Sequence, residues 1–156
     1  MKKLTENLKI EKMRKEHVEQ IAEIEREAFS VPWSRDALLV ECENELAHFY
    51  AALIGEKVVG YFGLHIIINE GYITNIAVGK SHRGQGVAKA LMQKMLEISS
   101  QHNLCFLTLE VRQSNHPAIS LYRRFGFSPE GLRKNFYTSP AEDAVIMTRR
   151  FERHEQ

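Results

Sequence analysis

The sequence predicts an α/β fold built on a mixed sheet, and three observations carry that reading. Apolar runs of strand length alternate with longer segments of helical period. Three strand-like runs stand together in the first half, and a strand, a short helix and a final hairpin close the second. Between the two groups lies a glycine-rich stretch that leads into a strongly periodic helix.

The elements follow in order. Residues 8–13 (LKIEKM) alternate and read as a strand. Residues 16–29 place Val18, Ile21, Ile24, Ala28 and Phe29 on one helical face. Pro32 ends that helix, because the residue before a proline is driven out of the α region. Ser34 is a suitable N-cap for a second helix, RDALLVECENEL. Residues 47–68 read as two strands joined at Gly55-Glu56, and residues 71–78 as a third. Residues 87–103 form the periodic helix. Residues 104–111 (LCFLTLEV) have the near-continuous apolar character of a central buried strand, with Cys105 as a core thiol. Asn115 caps a short helix from Pro117 to Phe125. Residues 127–138 and 142–151 form the last hairpin. The order is β-α-α-β-β-β-α-β-α-β-β.

Composition narrows the function classes. The chain has 156 residues, the size of one domain over residues 1–156, and is 44% hydrophobic. Its formal charge of +1 gives no nucleic-acid footprint, so any anion site is local. No apolar run has membrane-spanning length, and MKKLTENLKI has no apolar leader core. Cys42 and Cys105 fit no metal spacing. Together these features predict a soluble cytoplasmic protein with no metal, membrane or nucleic-acid partner.

The glycine stretch echoes two nucleotide motifs and satisfies neither. A Walker loop ending in Gly79-Lys80-Ser81 needs glycine at Thr74, and a dinucleotide fingerprint needs a third glycine at Lys89. What remains is Arg83, Gly84, Gln85, Gly86, Val87 and Ala88 at a helix start. Small residues there let an anion reach the first-turn N–H groups, and Lys89 adds charge. A glycine turn with solvated charges is the alternative.

This loop resembles the acetyl-CoA pyrophosphate loop of the GNAT acyltransferase superfamily, with Ala88 where many members have glycine. The blocks AFSVPWS (28–34), NIAV (75–78), LEVRQSNHPAISLYRRFGF (109–127), GLRKNFY (131–137) and EDAVIM (142–147) resemble its bacterial ribosomal-protein-alanine N-acetyltransferase subfamily. The resemblance implies a GNAT-like fold, acetyl-CoA as co-substrate and direct attack by an amine on the thioester. It also implies strands that splay between Val78 and Val111.

The implied roles stand beside plainer local readings. Glu110 ends an apolar strand and reads equally as a general base or as a partner of Arg112; the resemblance implies the base. Tyr122 reads locally as a core tyrosine; the resemblance implies the general acid for the coenzyme A sulfur. Asn115 caps its helix and, in relatives, also touches the cofactor. Backbone groups of Ile76, Ala77 and Val78 would hold the acetyl-pantetheine arm as an added strand would. Phe29 and Trp33 pack locally and, by resemblance, line the acceptor cleft with Phe136 and Tyr137. Glu41, Glu43 and Glu45 read as a solvated helix face or as a lure for a basic substrate tail. The expected acceptor is a protein N-terminal alanine amine, of a small-subunit ribosomal protein. A lysine or small amine is the second possibility, and a non-catalytic acyl-CoA-binding domain the third.

Overall fold

Leu8–Lys12 forms strand β1, and a 3-10 turn at Lys15–His17 leads into helix α1, Val18–Ala28. Ser34 caps helix α2, Arg35–Glu43, its Oγ accepting from the Ala37 N–H at 3.1 Å. That helix stops three residues short of the predicted Leu46. Asn44 turns its Oδ1 to the Leu46 N–H at 3.0 Å, and this local turn replaces the next helical bond. Strands β2 (Tyr50–Ile54), β3 (Lys57–Ile67) and β4 (Glu70–Val78) follow, then helix α3 (Val87–Gln101) and strand β5 (Phe106–Arg112). Helix α4 (His116–Arg124) and the hairpin of β6 (Ser128–Thr138) and β7 (Ala141–Arg150) complete the chain. The computed structural model describes residues 7–152, so most of the span on which the missing leader core was read lies outside the described residues. The predicted element order is the observed one.

The seven strands make one sheet in the order β1-β2-β3-β4-β5-β7-β6. All neighbours are antiparallel except β4 and β5, which α3 joins as a crossover. One face of the sheet packs Phe62, Leu64, Leu107, Leu109 and Val111 under Leu91, Met92 and Met95 of α3, with Tyr122 of α4 beside them. The other face packs Ala51, Leu53, Tyr61 and Ala77 under α1 and α2. This second cluster draws on β2, β3 and β4 and leaves β5 out.

That asymmetry corrects the reading of β5. The strand alternates: Leu107, Leu109 and Val111 are buried, whereas Phe106, Thr108, Glu110 and Arg112 are partly open. Cys105 is likewise half-buried and not a core thiol. Apolar composition suggested burial on both faces, but α1 and α2 do not reach across to β5.

The sheet is interrupted at its centre. Strands β4 and β5 pair only from Glu70–Tyr72 to Phe106–Thr108 and then separate, as expected. Just beyond, the β3–β4 register passes from Gly63↔Asn75 to Leu64↔Ile73, leaving Thr74 unmatched as a β-bulge. Thr74 Oγ1 is buried with no hydrogen-bond partner among the described residues. A Cβ added at Gly63, opposite the bulge, would collide with Thr74 Oγ1 and stand 2.6 Å from Phe49 Cζ. Gly63→Ala is therefore expected to destabilise the fold by about 1–3 kcal/mol, the usual range for overpacking. Thermal unfolding measures this, and an unchanged Tm would show that the bulge yields freely. None of the described helices is long and apolar enough to cross a membrane.

Candidate active site

Where β4 and β5 part, a cavity of about 580 Å³ opens through the sheet. Glu110 and Tyr122 both line it, as do Asn115, Phe29, Trp33, Phe136 and Tyr137. The structure thus brings together both expected catalytic side chains and all four expected acceptor residues. Ile76 also lines the cavity, while Ala77 and Val78 continue β4 toward the glycine loop.

Glu110 stands on the half-open face of β5, in register with Ile146 of β7. Its local alternative, a pair with Arg112, does not form. Arg112 Nη1 instead meets Glu142 Oε1 at 3.1 Å and the Pro140 carbonyl at 2.9 Å. Its Nη2 donates to Ser30 Oγ and to the Ser139 carbonyl, each at 3.3 Å. The guanidinium also lies 4.3 Å from the centroid of the Tyr137 ring. Hydrogen bonds from Ser114, reinforced by Arg112, hold the Glu142 carboxyl below its ordinary pKa. Among the described residues Glu110 is left without an ion-pair partner.

Tyr122 reaches the cavity because α4 starts where it does. Asn115 Oδ1 accepts from the Ala118 N–H at 3.3 Å, and Pro117 fits the first turn, where no intrahelical donor is needed. Gly126, at φ +86°, ends the helix and folds Phe127 back so that its ring sits 5.8 Å from that of Tyr122. Only 6% of Tyr122 is exposed. Burial first, and Tyr137 second, push its hydroxyl well above the ordinary tyrosine pKa, so it holds its proton at neutral pH.

The aromatic wall has two sources. Trp33 packs on Phe49 at 5.7 Å between ring centroids and lines the cavity as well. Phe136 and Tyr137 meet edge to face at 5.1 Å near the tip of the β6–β7 hairpin. Asn135, at φ +55° with its N–H on Asp143 Oδ1, turns the chain just before them.

The glycine loop lies beyond β4, on the surface and outside the cavity lining. Gly84 and Gly86 are both left-handed, at φ +75° and +90°. Gly86 is the N-cap of α3 and supplies no side chain to it, so the N–H groups of Val87, Ala88 and Lys89 have no cap. Arg83 Nε donates to the Val78 carbonyl at 3.1 Å, and Gln85 Nε2 to the Ser81 carbonyl at 3.3 Å. No acid occupies the first turn of α3. This is the arrangement an anion requires. Lys80–His82, which carries the Walker-like residues, is a 3-10 turn in which the Lys80 N–H faces Glu27.

Sequence reasoning missed one group near the site. Glu25 is fully buried, and its Oε1 accepts from the Trp33 N–H at 2.8 Å. Its Oε2 accepts from Asn75 Nδ2 at 3.0 Å and from the Tyr61 hydroxyl. Burial pushes its carboxyl above the ordinary pKa, and these donors partly offset that. The signal was present: Glu25 falls four residues after Ile21, inside the apolar stripe of α1. The acidic run splits in its roles, because Glu41 turns inward to His65 at 2.9 Å whereas Glu43 remains on the surface near Lys15. Among the described residues no cluster of His, Cys, Asp and Glu could hold a metal.

With this geometry in place, the resemblances to known proteins carry weight. The profile of the acetyltransferase (GNAT) family matches residues 18–127. The chain is 40% identical over 139 residues to a Bacillus subtilis protein provisionally named a ribosomal protein bS18-alanine N-acetyltransferase, covering 88% of this chain and 92% of that one. It is 32% identical over 126 residues to the Escherichia coli K12 protein of that name, covering 80% and 84%. The crystal structure of the E. coli ribosomal-protein-S18-alanine N-acetyltransferase superposes with a TM-score of 0.88 at 26% identity, over 96% of this chain and 97% of that one.

Proposed function

This chain belongs to the acetyltransferase (GNAT) family, and from that premise we propose that it acetylates the N-terminal alanine amine of a small-subunit ribosomal protein. It is an N-acetyltransferase, and its acetyl donor is acetyl-CoA. The observation that carries the mechanism is the meeting of Glu110 and Tyr122 in one cavity where β4 and β5 part. The names of its relatives carry the acceptor.

The chain acts as a single domain in the cytoplasm. Residues Arg83 to Lys89 would hold the pyrophosphate of coenzyme A, and the backbone of Ile76, Ala77 and Val78 would hold its pantetheine arm. Asn115 would contact the same arm. The amine enters from the side of Phe29, Trp33, Phe136 and Tyr137. Glu110, directly or through a water, takes the proton as nitrogen attacks the thioester carbon, and Tyr122 donates to the departing sulfur. An α-amine with pKa near 7.8 is already about one-seventh neutral at pH 7, so the base has modest work. A lysine amine near 10.4 would be neutral in only about one molecule in 2,500.

The test is acetyl transfer to a peptide copying the ribosomal protein's N-terminus, beside the same peptide with its α-amine blocked. Transfer is expected to the free amine alone. Its kcat/KM should rise with pH and level off above about pH 8, where the amine is neutral. Equal transfer to the blocked peptide would place the acceptor on a side chain.

A further inference from the structure

We propose that Asn75 is a substrate-positioning residue whose side-chain oxygen accepts the first peptide N–H of the incoming chain, and that buried Glu25 fixes the carboxamide in the orientation this requires. The inference rests on the N-terminal acceptor proposed above.

The argument is one of donor and acceptor supply. A carboxylate accepts hydrogen bonds and donates none. Glu25 is completely enclosed, and the Trp33 N–H already fills one of its oxygens. The other oxygen faces Asn75 and Tyr61. A carboxamide turned the other way would set two acceptor oxygens against each other in a buried place, which is costly. Asn75 therefore gives its NH2 to the network, Nδ2 lying 3.0 Å from Glu25 Oε2 and 3.2 Å from the Tyr61 oxygen. The nitrogen of the carboxamide is thus the atom turned into the network. The remaining atom, Oδ1, has no hydrogen-bond partner among the described residues, and Asn75 lines the cavity that also holds Glu110.

An acceptor is what this wall of the cavity can use. The attacking nitrogen keeps its lone pair for the thioester and gives its proton toward Glu110. The nearest other donor on a peptide is the N–H of its first peptide bond. The same carboxylate holds the backbone of Trp33, so the loop that forms the aromatic wall and the carboxamide on β4 are set by one buried group.

An atom-specific experiment separates this role from simple packing. Kinetics are measured for an alanine-led peptide and for its ester analogue, in which oxygen replaces the first peptide N–H. In the wild type the ester is expected to raise the acceptor KM by roughly 3–10-fold, the worth of one ordinary hydrogen bond. Asn75→Ala should raise the acceptor KM by a similar factor, leave the KM for acetyl-CoA unchanged, and show no further loss with the ester. Glu25→Gln should give the same effect, because the Trp33 N–H keeps the glutamine oxygen and its NH2 then faces Asn75, whose own oxygen must turn inward to accept from it. Should Glu25→Gln fail to fold, Asn75→Ala and the ester still decide. An ester penalty that persists in full in Asn75→Ala overturns the assignment, as does an unchanged acceptor KM in that variant. A wild-type chain that acetylates only lysine or a small amine overturns the N-terminal reading itself, and the Asn75 assignment with it.

Discussion

Tyr122→Phe is expected to lower kcat by about 10²–10⁴-fold, the span that positioned acids and bases contribute. Acetyl-CoA affinity should stay at the wild-type value. The substitution removes one oxygen and nothing else. Phenylalanine keeps the packing against Phe127, and the Tyr122 hydroxyl has no hydrogen-bond partner among the described residues to lose. The fold should therefore melt as the wild type does, which separates a chemical effect from a structural one. The loss should fall on kcat, because a proton is needed at sulfur only as the thioester bond breaks. Burial holds the hydroxyl protonated well beyond neutrality, so no fall in rate from loss of this proton should appear up to about pH 9. Steady-state kinetics with a thiol-detecting assay gives both numbers. An unchanged kcat would remove Tyr122 from the mechanism.

Gly86→Val should act on the other half of the reaction. Gly86 has φ +90°, a conformation that costs a β-branched residue about 1–3 kcal/mol. The new side chain would also stand at the end of α3, where an anion has to approach the exposed N–H groups. Together these effects should weaken coenzyme A binding by at least about tenfold, equivalent to about 1.4 kcal/mol. Calorimetric titration with coenzyme A measures it, and kcat at saturating acetyl-CoA should be retained. Arg83→Ala should cost less, because Arg83 already spends its Nε on the Val78 carbonyl. Full affinity in Gly86→Val would contradict a backbone cradle for the pyrophosphate.

The fold was legible where one period governs one element. The stripe of α1 and the order of the β2-β3-β4 meander follow from spacing alone. So do the Ser34 and Asn115 caps, because each is a local hydrogen bond between residues three apart. Exposure of the second face of β5 was not legible. It depends on how far α1 and α2 reach, and no local pattern in LCFLTLEV records that. The site divides in the same way. Glu110 and Tyr122 were reached through resemblance, since neither residue type is diagnostic by itself. The grip of Arg112 on Ser30, Ser139, Pro140 and Glu142 joins segments up to 82 residues apart and has no sequence signature. Glu25 could have been found, since an acid inside an apolar stripe needs buried donors to accompany it.

The bulge at Thr74 has an evolutionary reading. Pairing resumes on both sides of it, so Ile73 stays opposite Leu64 and Asn75 opposite Gly63. A chain lacking Thr74 would keep each of those neighbours on the face it now occupies, and β4 would simply run straight. The bulge that follows the last β4–β5 pair, Tyr72↔Thr108, is thus worth a single codon, gained or lost without rewriting the hydrophobic pattern around it. Beside the cavity, the regularity of this strand is decided by its length and not by its composition.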